Sequence, residues 1–168
     1  MTTLQVLIWT LAYLTELGAV VYFTRANTRR VMGALGGGGA AGLFGLGAIA
    51  LFQALGLWRI PFSSTLYFLP LFYLGLSISL SPVYLVTWRL ARRFGLRGLL
   101  VFISIVGVIG PPRDYLIAAT FPKWMVFAPG IAPVLADAVS YVGMMVLGHA
   151  VMSLVAGRAS EDRLARES

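Results

Sequence analysis

Cysteine is absent from the 168 residues, and histidine and asparagine occur once each. Without cysteine there is no disulfide, no thiolate metal site and no thiol nucleophile. One histidine and a few scattered acids do not make a ligand set for haem or a multi-ligand metal centre, so neither metal nor cofactor is expected. Charge is scarce too: Asp, Glu, Lys and Arg together make up 11%, against roughly a quarter in an ordinary soluble domain. A soluble fold of this size needs more polar surface than that. The same shortage of charge excludes a disordered chain.

Apolar residues of the AVILMFWYC set supply 59%, with 19 glycines besides. A membrane span takes about 20 mostly apolar residues. Five runs qualify: 4–24, 31–57, 63–88, 98–120 (with an interruption) and 131–156. Inside hydrocarbon only helices or a closed barrel satisfy the backbone. These runs are too long and too evenly apolar for barrel strands. The reading is an all-α, polytopic integral membrane protein. About five helices form a single domain over 1–156, followed by a short charged tail, 157–168. No basic residue precedes the first apolar run, so that run reads as a retained span and not as a signal peptide.

The basic residues alternate between loops. Arg25, Arg29 and Arg30 follow the first run, Arg89, Arg92, Arg93 and Arg97 the third, and Arg158, Arg163 and Arg166 the last. The other two loops hold only Arg59 and Lys123. The positive-inside rule then gives an N-out, C-in chain, expected in the plasma (inner) membrane. Trp58, Trp88 and Trp124 fall at span ends, where interfacial aromatics belong. The net charge of +7 sits in short loops, so it points to anionic headgroups rather than nucleic acid, above all at Arg89, Arg92, Arg93 and Arg97.

The fourth run contains Gly110-Pro111-Pro112-Arg113-Asp114-Tyr115. Two prolines remove two backbone donors and crowd the preceding turn. A kink or break is expected there, beside an intramembrane Arg and Asp. Broken helices with charges build binding sites in many transporters. Alternatively, the ion pair and prolines only shape a helix end. By helical rise, Arg113 and Asp137 each lie about 10 Å below one end of their spans and can share a layer. Glu16 and His149 can share a second layer, about 10–12 Å from the opposite end. An intramembrane carboxylate costs about 2.5–3.5 kcal/mol on insertion scales, which makes Glu16 a protonatable group of interest. The bland alternative for both is a hydrogen bond to a neighbouring helix.

Gly33, Gly37, Ala41 and Gly45 recur at four-residue spacing. Small residues at that spacing let helices approach closely, within the chain or across a homo-oligomer seam. No Gly-Lys-Ser/Thr follows, so the glycine run is no phosphate loop. Protease and hydrolase motifs are missing. Asp114 and Asp137 could form an acid dyad, but Arg113 beside Asp114 opposes a shared proton. Catalysis is therefore disfavoured, and no catalytic residue is assigned. The leading expectation is a small transport or solute- or ion-binding component using Arg113, Asp114, Asp137, Glu16 and His149. An accessory or assembly subunit of a larger membrane complex comes second. A membrane-embedded enzyme acting on lipid or peptide is third.

Overall fold

The computed structural model describes residues 3–61, 68–121 and 125–159. Lys123, Trp124 and most of the tail, including Arg163 and Arg166, lie outside them. The chain is all-helical apart from one pair of two-residue strands: α1 (Thr3–Thr24), α2 (Thr28–Ala54), β1 (Trp58–Arg59), α3 (Phe68–Thr120), β2 (Val126–Phe127) and α4 (Ala132–Ala156). Among the described residues α2, α3 and α4 are long and apolar enough to cross a membrane, and α1 adds a shorter apolar stretch, Leu11–Thr24.

Local chemistry sets the element ends. Asn27 caps α2, its side chain accepting from the Arg30 amide at 3.0 Å. Such a cap satisfies one of the four donors that a helix start leaves unpaired. Pro133 sits in the first turn of α4, where its missing N–H removes no helical bond. Gly157 follows α4 with φ 89°, a conformation that glycine adopts without a Cβ clash.

Within α3 the interruption falls at Gly95 (φ 64°, ψ −158°). Contacts with α4 follow from it. Before Gly95, Tyr84 reaches Met144, Thr87 reaches His149 and Trp88 reaches Gly157. After it, Gly107 packs on Val142 and Gly110 on Tyr141. The first arm of α3 thus runs along α4, and the second returns beside it.

Of the kink or break expected at Pro111-Pro112, there is no break: α3 runs on through both prolines, and Gly95 is the residue that leaves helical dihedrals. A proline in a helix deletes one backbone bond and need not end the ladder. Pro111 is fully buried, so packing holds its turn in place.

α2 runs against both the first arm of α3 and α4. Gly33 meets Met152, Gly37 meets Gly148 and Tyr84, Gly38 meets Ser77 and Ser81, and Gly45 meets Leu76 and Met144. The small-residue face of α2 is therefore filled from within the chain. A Cβ at Gly37 would stand 2.6 Å from the Gly148 carbonyl oxygen, and one at Gly148 would run into the Tyr84 ring. Tyr84 itself is fully buried, and its hydroxyl donates to the Met144 carbonyl at 2.8 Å. In lipid, with no hydrophobic force between helices, such close packing and interhelical hydrogen bonding hold a bundle together.

One end of the bundle gathers arginines: Arg29 Nε donates to the Val155 carbonyl at 2.7 Å, and Arg89 Nη1 to that of Phe23 at 3.3 Å. The other end is capped by the strands, with Trp58 opposite Phe127.

Gly148→Ala is expected to lower stability by about 1–3 kcal/mol through overpacking against Tyr84. Gly47→Ala, where a Cβ meets nothing within 4 Å, should not. Thermal unfolding in detergent checks both.

Candidate functional site

Tyr141 of α4 is the centre of a polar cluster near the strand-capped end. Its hydroxyl donates to Asp114 Oδ2 at 2.9 Å and accepts from Arg113 Nη1 at 3.1 Å. Arg113 Nη1 and Asp114 Oδ1 are 4.0 Å apart. The Arg113 side chain is 61% exposed and that of Asp114 only 26%, so the acid faces inward and the guanidinium reaches out. Gly110 lets this turn of α3 lie on the Tyr141 ring, because any Cβ there would collide with it.

Asp137 lies one helical turn before Tyr141, hence on the same face of α4. It is 6% exposed, and its Oδ2 has no hydrogen-bond partner among the described residues. Asp114 and Arg113 are near enough for their charges to act on it. A buried carboxylate oxygen without a donor is costly and calls for a proton, a cation or a ligand donor. The Tyr115 hydroxyl is likewise buried without a partner among the described residues, and it lies within electrostatic range of Asp137. Tyr13 of α1 lies within electrostatic range of both Arg113 and Glu16.

The cap covers this region. Phe127 of β2 stacks on Tyr115 with ring centroids 4.0 Å apart and planes at 9°. Trp58 of β1 meets Phe127 and Phe52 edge to face. Gln53 Oε1 accepts from the Ile60 amide at 3.0 Å, and the Ala128 amide donates to the Leu57 carbonyl at 2.9 Å. The two interhelical segments are thereby tied to each other and to α2.

Of the residues singled out in the sequence, the structure joins Arg113, Asp114 and Asp137. Asp114 is hydrogen-bonded to Tyr141, not to Asp137. Glu16 stays on the exposed side of α1. His149 sits elsewhere, 3.0 Å from Thr87 Oγ1 and 3.4 Å from Ser153 Oγ. In α3, Ser79 donates to the Leu76 carbonyl and Ser81 to that of Ser77. Sequence reasoning missed Tyr141, although its four-residue spacing from Asp137 was a usable signal. Tyr115 was quoted with the proline motif but given no role. No group of three or more His, Cys, Asp or Glu suited to a metal occurs among the described residues.

The fold and cluster define an all-helical chain with three helices long and apolar enough to cross a membrane, and a polar cluster between α3 and α4. Comparison with protein-family models, curated proteins and solved structures finds no match.

Tyr141→Phe removes two hydrogen bonds, one of them to a carboxylate, and is expected to cost about 1–3 kcal/mol of stability. Asp137→Asn replaces a poorly satisfied buried carboxylate and should be neutral or stabilising by about 1 kcal/mol. A lowered melting temperature for Tyr141→Phe, with an unchanged or raised one for Asp137→Asn in the same detergent, would bear this out.

Proposed function

We propose that this protein is a small integral membrane component that binds and moves a small carboxylate together with a proton. Five spans would cross the plasma membrane, N-out and C-in. They are α1, α2, the two arms of α3 and α4, with a bend and not a break at Pro111-Pro112. Two features support the count. Gly95 divides a 53-residue helix, and the basic loops alternate with the spans.

The observation that carries the functional reading is the buried Asp137 carboxylate, with one unpartnered oxygen beside the Arg113–Tyr141–Asp114 cluster. An ionisable group at such depth is a functional candidate in any membrane protein. Arg113 is the anion anchor, because a guanidinium matches a carboxylate in charge and shape. Asp114 and Tyr141 position it. Asp137 carries the proton, the role that sequence alone gave to Glu16. The cap over Tyr115 is the gate.

A second reading rests on Glu16, whose carboxylate is on the exposed side of α1. A bare carboxylate facing lipid is costly, and a neighbouring subunit with a donor would relieve it. That favours an accessory subunit of a larger complex.

Proteoliposome uptake of acetate and succinate under an imposed pH gradient tests the first reading. Arg113→Gln should lower uptake about tenfold or more, as a charged hydrogen bond contributes about 1.5–3 kcal/mol. Asp137→Asn should abolish proton coupling. Absence of uptake by the wild-type protein, together with a partner that co-purifies and is lost in Glu16→Gln, would replace transport with the subunit reading.

A further inference from the structure

Among the described residues, three buried side-chain oxygens have no hydrogen-bond partner: Ser77 Oγ, Tyr115 Oη and Asp137 Oδ2. Ser77 packs against Gly42 of α2. The other two share one neighbourhood at the capped end and lie within electrostatic range of each other. Both are held in place. The Tyr115 ring is stacked on Phe127. Asp137 is 6% exposed, on the face of α4 that carries Tyr141.

The hydroxyls around them are already used. Tyr141 donates to Asp114 and accepts from Arg113. Ser140 donates to the Ala136 carbonyl at 2.8 Å. Serving Asp137 from either residue would break one of these bonds and leave another atom unpaired.

What suits the two atoms follows from their chemistry. An ionised Asp137 Oδ2 only accepts, and a protonated one donates. The Tyr115 hydroxyl does either. A ligand ammonium donates only, so it serves the ionised oxygen and not the protonated one. A ligand carbonyl accepts only, so it serves the protonated oxygen alone. A hydroxyl does both. It donates to the carboxylate while accepting from Tyr115, or accepts from the carboxylic acid while donating to Tyr115. Of these three groups only the hydroxyl pairs both atoms in both proton states, and a proton-carrying Asp137 passes through both.

We propose that the Arg113 cluster takes a short hydroxycarboxylate, with the carboxylate on Arg113 and the hydroxyl between Asp137 and Tyr115. This rests on the carboxylate–proton reading above and names its substrate class. Tyr141, bonded to Arg113, stands about 6 Å along α4 from Asp137 by helical rise. Anchors one turn apart call for a short molecule, a 2- or 3-hydroxy acid. An analogue without the hydroxyl leaves the two buried oxygens unpaired, a larger penalty than a missing methylene brings.

The full-length protein in neutral detergent is titrated with two matched pairs, lactate with propionate and 3-hydroxybutyrate with butyrate, and with alanine. The melting temperature is followed. At least one hydroxy acid should protect at a concentration about tenfold or more below that of its partner, and alanine should do no better than propionate. Arg113→Gln should weaken both members of that pair. Tyr115→Phe keeps the ring that stacks on Phe127 and removes only the hydroxyl, so it should erase the difference within the pair. If that variant fails to fold, the matched pairs on the wild-type chain decide without it. Equal protection within each pair would overturn the hydroxyl assignment and leave the carboxylate reading standing. So would a preference that persists in Tyr115→Phe. Stronger protection by alanine than by lactate would put an ammonium in place of the hydroxyl, and no protection by any of the five would overturn both readings.

Discussion

The near-contact of backbones where α2 crosses α4 and the first arm of α3 is the constraint on which the other features depend. Gly37 faces Gly148 across a gap too narrow for a Cβ, and the buried Tyr84 ring closes the space between them. Lipid tails compete with side chains on equal terms, so a membrane bundle has to gain its stability from close approach and from interhelical hydrogen bonds. Tyr84 supplies both, through its ring and through its bond to Met144. With three helices locked there, the position of α4 is set, and with it the position of Tyr141 and Asp137.

The two polar regions then fall at opposite ends of one rigid frame. At the capped end, Tyr141 holds an arginine and an aspartate while a second aspartate stays buried and unsatisfied. At the arginine end, α1, α2 and α3 converge on Trp88, and the basic side chains are arranged around that ring. One end concentrates carboxylates within hydrocarbon reach, and the other concentrates cations at helix ends.

Much of the framework is legible in the residues. The second, fourth and fifth apolar runs reappear almost unchanged in α2, in the second arm of α3 and in α4. The alignment of Gly33, Gly37, Ala41 and Gly45 on one helical face follows from spacing alone, and all four are buried. Of the kink or break that Pro111 and Pro112 suggest, the break is absent, because the prolines signal a lost donor but not whether packing carries the helix past it. Gly95, where α3 is interrupted, falls between the third and fourth apolar runs, in the basic stretch that the sequence assigns to a loop.

Composition and periodicity determined that this chain is helical, apolar enough for a membrane, free of thiol chemistry and equipped with few charges. These are properties of the chain itself and of the solvent it suits. Tertiary structure decided which charges meet. Rotation about each helix axis and the contacts between helices are set by packing. Helical spacing constrains them but does not fix them. Hence Tyr141 could not be recognised as the link between Arg113 and Asp114. Nor could Arg25 and Arg30 be joined to Arg89, Arg92 and Arg93 until the glycine-mediated approach of α2, α3 and α4 had fixed their faces.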